Sequence, residues 1–541
     1  MPTVIVNGQE IEIGEDERLN AIQVARRAGE DIPHYCWHPG MSVVASCRMC
    51  LVETGRKDPE SGEISMVPKL VPGCQTPATD GTVFVTNSDK VTEARAMVEE
   101  DLLIRHPIDC PICDKAGECY LQDYHFKHGQ PERRADLRPF TSRRRPMGDT
   151  VTLFVDRCVM CTRCVRFTRE ITGTSELMVV NRGAHEEIDV FPGFPLDNKM
   201  SGNVVDLCPV GALGDTDFLY SQRVWFMKDH DSVCAGCSTG CSISVNENQD
   251  KVYRLKPREN PHVNHWWMCD EGRYGYKHVH DKGRVTSPRV EVDGEYSNIE
   301  WAEVPEKLTA SLTKAAEDGR LAAVISPHLT VEEAYLLAKY IKDIDSEAIL
   351  ALGPVPTDGE DETFPNGFAI RAEKCPNRRG VEAIISRMGG SIVTWEELIP
   401  KLVLENVKGL WFAGGYKTNW IDEGTAGTIA ADVPLVVVQD MFRSPLYDLA
   451  TYQLPGVSFA ERGGSYVNHA DRLQSFSWAI RPPAGVMSEG HLLWPLTGHQ
   501  GMYQPRKVME HVAGEIAYFA AAAGPVPATG VDLKINQLAG A

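Results

Sequence analysis

"RCVMCTRCVRFT" (Arg157–Thr168) and, further along, "DLCPVGAL" (Asp206–Leu213) decide how this chain is read. Cys158, Cys161 and Cys164 stand at C-x2-C-x2-C spacing, and a remote Cys208 precedes Pro209. This is not a zinc-ribbon arrangement, in which one C-x2-C pairs with another, and it favours [4Fe–4S] over zinc. Where two C-x2-C-x2-C-x3-C-P runs share a chain, the fourth cysteine of each ligates the other run's [4Fe–4S] cluster. Here Thr168 stands at the fourth position of the first run, and Asn198, Ser201 and Val204 stand at the first three of the second. What survives is one full ligand set, Cys158, Cys161, Cys164 and Cys208, and none for a second cluster.

Three more sets flank it. Cys36, Cys47, Cys50 and Cys74 lie in "HYCWHPGMSVVASCRMCLVE" and "KLVPGCQTP". A close pair with two remote partners holds either zinc or a [2Fe–2S] cluster. The plant-type pattern for the latter is C-x4-C-x2-C with a distant fourth cysteine, so the match is to the kind of loop and not to its length. In "HPIDCPICDKAGEC" (His106–Cys119), His106, Cys110, Cys113 and Cys119 can close on one centre, with Pro107 and Pro111 stiffening the turns. Zinc accepts three thiolates and an imidazole as readily as a cluster does. An imidazole in place of a thiolate removes one negative charge, and in Rieske centres histidine ligation accompanies a raised potential. Cys234, Cys237, Cys241 and Cys269 form C-x2-C-x3-C-x27-C; zinc could sit there, but the near spacings favour [4Fe–4S]. The four sets use fifteen cysteines and one histidine, leaving only Cys375. A row of redox centres is a wire that a lone zinc would interrupt, so the second set is read as carrying electrons too.

A chain of 541 residues is too long for one core, and about three to five domains are expected. The formal charge of −20 argues against nucleic acid as a partner. No run of about 18 apolar residues is present, and "MPTVIVNGQEIEI" lacks the basic flank and apolar core of a secretory signal. A reducing compartment is therefore expected, where cysteines hold metal instead of forming disulfides. The arginine run "RRADLRPFTSRRRP" (Arg133–Pro146) reads as a solvated linker or a docking strip.

Residues 3–13 alternate around Asn7-Gly8, a hairpin signal. "LNAIQVARRAG" then has helical spacing with a Gly29 stop, giving the order hairpin, helix, cysteine loop of a β-grasp ferredoxin. "FVTNSDKVTEARAMVEEDLLIRH" predicts a helix capped near Ser88 that delivers His106. Residues 120–150 read as a polar connector. From about residue 300 short apolar runs ("LAAVISP", "GLWFAGG", "VPLVVVQD") alternate with helical segments, which predicts an α/β domain with a largely parallel sheet. The Ala-rich tail "AGEIAYFAAAAGPVPATG" is expected to end loosely.

"HPIDCPICDKAGECYLQD", "RCVMCTRCVRFTREITG" and "SGNVVDLCPVGAL" resemble the large iron–sulfur subunit of the peripheral arm of NADH:quinone oxidoreductase, respiratory complex I. Over residues 1–220 the resemblance implies one [2Fe–2S] cluster, a [4Fe–4S] cluster with one histidine ligand and an all-cysteine [4Fe–4S] cluster, on the ligands named above. It implies electrons arriving from a flavin-bearing, NADH-binding subunit and leaving toward a two-cluster ferredoxin-like subunit and then quinone. A small thioredoxin-like [2Fe–2S] subunit and quinone-site subunits are further implied partners, with ion translocation by a membrane arm. The implied place is the cytoplasmic side of a bacterial inner membrane, peripheral.

Residues 225–541 look like a shortened molybdopterin oxidoreductase domain, whose superfamily binds a [4Fe–4S] cluster at the fourth set; this would be the third [4Fe–4S] cluster, off the main electron route. "SNIEWAEVPEKL", "AVISPHLTVEEAYLLAKY", "VVVQDMFRSPLYDLATYQLPG" and "SFAERGGSYVNHADRLQ" carry that likeness. Related catalytic enzymes often place a Lys two residues after the fourth cysteine, where this chain has Glu271. No molybdopterin is expected: Cys375 reads as a packing thiol in a stretch "PNRRG" that resembles complex I homologues, and Asn468 and Arg472 as fold-maintaining. "FAGG" (Phe412–Gly415) is a weak phosphate-loop candidate. The expected fold is multidomain, α+β then α/β: a β-grasp [2Fe–2S] domain at 1–87, a helical histidine-ligated [4Fe–4S] domain and linker at 88–145, a ferredoxin-like [4Fe–4S] domain at 146–222, a molybdopterin-oxidoreductase-type [4Fe–4S] domain at 223–286 and an α/β scaffold at 287–541. The competing functions are a relay subunit of a soluble NAD(P)-linked formate dehydrogenase or hydrogenase, and a zinc-stabilised scaffold. The first would need the missing middle domains or further cysteines after residue 269; metal analysis separates the second.

Overall fold

The computed structural model describes residues 1–132, 134–183 and 185–534. Two compact units are present, one built from Met1–Met227 and Phe364–Gly367, the other from Lys228–Thr363 and from Phe368 onward.

The first unit opens with the hairpin Thr3–Val6 and Gln9–Glu12, turned by Asn7 (φ 49°) and Gly8 (φ 86°). Both turn residues are left-handed, as a two-residue turn matched to strand twist requires. Thr3–Val6 pairs in parallel with Thr82–Val85, which lies antiparallel to Leu51–Lys57. Helix Ala21–Arg27 starts with a capping box between Asn20 and Gln23 and buries Ala21, Ile22, Val24 and Ala25 against the sheet. This is the expected β-grasp. Cys50 immediately precedes strand Leu51–Lys57, and Cys74 follows the short strand Val71–Pro72, so the sheet fixes two cysteines at strand ends.

Ser88 caps helix Asp89–Leu103 through Val91 N, and His106 follows its C-terminal end. The connector expected at 120–150 is partly structured instead. Helix Tyr120–His128 starts directly after Cys119 and buries Leu121 and Tyr124. Its apolar stripe is only these two residues, too short to stand out among polar neighbours. The arginine run is solvated, as a linker would be, but several of its side chains are paired. Arg134 pairs with Glu100 (2.6 Å), Arg143 with Asp156 (2.9 Å) and Glu187 (2.8 Å), and Arg145 with Glu187 and Asp189. Arg133 lies outside the described residues. Strands Arg144–Pro146, Val151–Phe154 and Leu213–Asp215 then form one sheet, joined by the short helices Arg163–Arg166 and Asn203–Leu207.

In the second unit, antiparallel strands Lys228–Val233, Ser242–Asn248 and Lys251–Pro257 hold the loop with Cys234, Cys237 and Cys241 between the first two. A seven-stranded sheet follows. Its strands Tyr452–Pro455, Leu435–Asp440, Val407–Ala413, Arg320–Ile325 and Ile349–Leu352 are parallel neighbours in that order, with antiparallel Arg289–Val292 and Glu295–Asn298 at one edge. Strand side chains alternate between faces: Leu321, Ala323 and Ile325 pack with helices Val304–Asp318, Val331–Ile344 and Arg378–Gly389, while Ala322 and Val324 pack with Trp395–Leu404 and Glu423–Asp432. The tail does not end loosely up to residue 534. Helix Pro505–Glu515 packs on the sheet's helical layer, Phe519 and Leu533 are fully buried, and Val531–Asp532 pairs with Arg472–Phe476.

Candidate metal centres

In the first set, Cys36, Cys50 and Cys74 are buried and Cys47 is half-buried. The Cys36 sulfur lies within hydrogen-bond reach of the Cys47 and Cys74 thiols, which pull its pKa down. Cys74 also reaches Cys50, and the shared protons push Cys74 and Cys47 up. The structure thus brings all four together.

In the third set, Cys158, Cys161 and Cys164 are pushed up, first by burial and then by each other and Cys208. Met160 (φ 47°) and Thr162 (φ 57°) are left-handed, which coils the backbone so that successive cysteines face inward. Such conformations cost on the order of 1 kcal/mol or more for a residue with a side chain and persist where the surroundings fix them. Met160 N donates to Cys158 Sγ (3.4 Å). The other half of the motif is closed: Thr168, Ser201 and Val204 are buried, and Ser201 Oγ bonds Thr150 Oγ1 at 2.6 Å.

The second set is looser. Cys113 feels the charge of Cys110, and Cys119 that of Cys113; burial pushes both Cys113 and Cys119 up, the latter to about 11. Cys110 is exposed, beside exposed Ile108 and Ile112. His106 is pulled down to about 4 by burial, with Arg157 adding to it and Asp109 opposing. It is therefore a neutral imidazole with a lone pair to give. Arg157 also pairs with Asp109 at 2.8 Å, so one guanidinium braces the loop that carries the set.

In the fourth set, Cys234, Cys237, Cys241 and Cys269 are all buried and line one cavity with Met268, Phe368, Ala369 and Ile370. Burial pushes Cys234 up to about 12 and raises Cys241 and Cys269 as well. Gly236 N donates to Cys234 Sγ (3.4 Å) and Gly272 N to Cys269 Sγ (3.3 Å). A β-carbon on Gly272 would stand 3.0 Å from Cys234 Sγ and 3.5 Å from Cys269 Sγ, so the glycine leaves room for whatever the sulfurs hold.

These donor sets fit iron–sulfur clusters. Most of the thiols are buried, Cys110 being the exposed one; several accept backbone N–H groups that stabilise a thiolate, and bound metal deprotonates such sulfurs outright. Among the described residues, no three His, Cys, Asp or Glu side chains form a site for a single ion. In a [4Fe–4S] cluster each protein ligand binds its own iron, and in a [2Fe–2S] cluster each iron takes two, with inorganic sulfide between the irons, so the ligands stand around a shared volume and not at one point.

Sequence reasoning missed the supports. Arg163, buried, donates to Trp37 O (2.6 Å) and Leu207 O (3.2 Å). Arg166, also buried, donates to Cys36 O, Ser42 O (2.6 Å) and Cys161 O (3.4 Å). Two basic residues inside a cysteine motif were the available signal. Gly211 lies in the third motif yet faces the second set, because an added β-carbon would collide with Cys113 Sγ. Lys374 Nζ meets Glu271 Oε2 at 2.6 Å.

The remaining candidates behave as structure. Cys375 is fully buried with its thiol against Glu373 (3.8 Å). Asn377 donates to Leu329 O and accepts from Val467 N; a β-carbon at Gly380 would strike its Oδ1, which accounts for Asn-x-x-Gly. Asn468 Nδ2 donates to Thr239 O (3.0 Å), and Arg472 Nε to Thr529 O (2.6 Å). The "FAGG" amides are spent internally: Gly414 N donates to Gln439 O, and Gly415 N and Tyr416 N to Asp440 Oδ1. It is not a phosphate loop.

Comparison with known proteins places four family profiles along the chain. Residues 2–89 match a 2Fe-2S iron-sulfur cluster binding domain, and 95–134 an NADH-ubiquinone oxidoreductase-G iron-sulfur binding region. Residues 148–214 match an NADH-quinone oxidoreductase subunit 3 ferredoxin-like domain, and 227–281 a molybdopterin oxidoreductase Fe4S4 domain. The G-type subunit of the NADH-quinone oxidoreductase of Rickettsia felis is 33% identical over 341 residues, 63% of this chain and 49% of that protein. The NADH-ubiquinone oxidoreductase 75 kDa subunit of Reclinomonas americana is 31% identical over 356 residues, 66% of this chain and 50% of that one. The chain thus spans about half the length of the curated relatives it matches. A solved NAD+-reducing [NiFe]-hydrogenase in the H2-reduced state aligns at 26% identity over 41% of this chain and 91% of that one, with a TM-score of 0.34.

Proposed function

We propose that this chain is the iron–sulfur relay subunit of the peripheral arm of an NADH-quinone oxidoreductase. It passes electrons from a flavin-bearing NADH-binding subunit toward quinone while a membrane arm moves ions. The observation that carries this reading is the gathering of thiols in the first, third and fourth sets, within matched iron–sulfur domains similar to those of the G-type subunits.

In this reading Cys36, Cys47, Cys50 and Cys74 hold a [2Fe–2S] cluster. His106, Cys110, Cys113 and Cys119 hold a [4Fe–4S] cluster, as do Cys158, Cys161, Cys164 and Cys208, and Cys234, Cys237, Cys241 and Cys269. Bound clusters supply one-electron carriage without moving protons or breaking bonds. The chain's own residues do the rest. Thiolates bind, the glycines and backbone N–H groups make room for and stabilise sulfur, and burial excludes water. His106 stays neutral, which leaves its site one charge less negative than an all-thiolate set. The exposed Cys110, Ile108 and Ile112 support hand-off from the second set to a two-cluster ferredoxin-like subunit. A small thioredoxin-like [2Fe–2S] subunit and the quinone-site subunits complete the proposed partners. Among the described residues no helix is long and apolar enough to cross a membrane. The proposed place is peripheral, on the cytoplasmic side of the inner membrane, and follows from the proposed complex. The shortened α/β domain serves as scaffold without molybdopterin.

Replacing Cys161 by Ser tests the reading. It should remove one low-temperature EPR signal of [4Fe–4S] type and block NADH-to-quinone flow in the assembled complex. Purified chain containing zinc but no acid-labile sulfide would overturn it.

A further inference from the structure

Glu271 lies two residues past Cys269 and lines the cavity of the fourth set. A carboxylate beside four thiolates is electrostatically adverse, because like charges disfavour one another. Lys374 answers it from a remote segment. Its Nζ meets Glu271 Oε2 at 2.6 Å, and the segment that carries it is pinned onto the cysteine loop. Ser238 N donates to Glu373 O (2.9 Å) and Thr239 Oγ1 to Ala369 O (2.8 Å). Phe368, Ala369 and Ile370 of the same segment wall the cavity. One short stretch therefore both walls the site and brings an ammonium to the carboxylate that lines it.

The two partners differ in their access to water. The Lys374 side chain is 11% accessible and that of Glu271 42%. Solvent and salt screen the carboxylate more than the ammonium, so the positive end of the pair acts on the cavity with less attenuation. Burial works against the charge on Lys374, but the bond and charge of Glu271 together with the charges of Cys237 and Cys269 outweigh it and raise its pKa.

We propose that Lys374, positioned by Glu271, sets the reduction potential of the centre held by Cys234, Cys237, Cys241 and Cys269. This rests on reading that set as a [4Fe–4S] site. Reduction there adds one electron and moves no atom, so a fixed positive charge nearby favours the reduced form.

The test is an EPR-monitored redox titration of the full chain prepared anaerobically, with the other three centres as internal references. Lys374→Met leaves Glu271 uncompensated and should lower the fourth midpoint by about tenfold in the reduction equilibrium, about 59 mV for a one-electron couple. Glu271→Gln leaves the ammonium alone and should raise it. The double variant should fall between the two. A packing role alone would instead move both single variants the same way or only broaden the signal. A fourth centre that titrates normally but ignores Lys374, or that shifts alike in both singles, overturns the proposal alone. No iron–sulfur signal from the fourth set in the unsubstituted chain overturns the reading beneath it and the proposal together.

Discussion

Gly211 is three residues past Cys208, yet a side chain there acts on another set. A β-carbon would sit well inside contact with Cys113 Sγ and 3.3 Å from the Lys115 Cβ. Non-bonded heavy atoms want about 3.5–4.0 Å, so the sulfur would have to retreat by on the order of 1 Å. Metal–thiolate bonds are about 2.3 Å long and tolerate deviations of about 0.2 Å. Gly211→Ala should therefore cost the second centre its Cys113 ligand. Overpacking of this kind costs about 1–3 kcal/mol, which is about 5- to 150-fold in how firmly the site keeps its metal. The assay is iron and acid-labile sulfide per chain, with EPR of the dithionite-reduced protein. One histidine-ligated signal should go while the rest persist. Gly427→Ala is the control: it lies in helix Glu423–Asp432 with no heavy atom near its added carbon, and should stabilise by about 0.5–1 kcal/mol. A Gly211→Ala chain with full iron and an unaltered spectrum would refute the reasoning.

Arg166→Met strips donors from the carbonyls of Cys36, Ser42 and Cys161. At about 1–3 kcal/mol for each acceptor left buried and unpaired, urea unfolding should show a loss of at least about 2 kcal/mol, and a loss below about 0.5 kcal/mol would count against the bracing role. In the second unit, burial raises Glu332 to about 8, despite its bonds from Ser465. An unfolded glutamate releases its proton near 4.5, so between there and about 8 the folded chain holds a proton that the unfolded chain lacks. Stability then falls as pH rises through that window. Glu332→Gln should flatten this slope relative to the unsubstituted chain in urea melts at pH 5–8; an equal slope in both would assign it elsewhere.

The candidate donor sets were legible because cluster chemistry demands soft donors at short, repeated spacings, and Cys158, Cys161 and Cys164 state that pattern in one line of sequence. The β-grasp hairpin was legible because Asn7-Gly8 dictates its own turn. Local signals also sufficed for Ser88 and for the parallel sheet, whose strands are apolar on both faces. What escaped was long-range. Arg166 reaches Cys36 O across 130 residues and Lys374 reaches Glu271 across 103, and no spacing rule links such pairs. Helix Tyr120–His128 escaped because its buried stripe is two residues long. The arginine run looks like a linker in sequence because its partners, Glu100, Asp156 and Glu187, come from elsewhere in the chain.

The Arg166 guanidinium touches the backbone of Cys36 and of Cys161 at once, so one cation is shared by the loops of the first and third cysteine sets. Were the proposed clusters seated in both sets, a positive charge held there would damp the repulsion that makes the second of two neighbours harder to charge once the first is full.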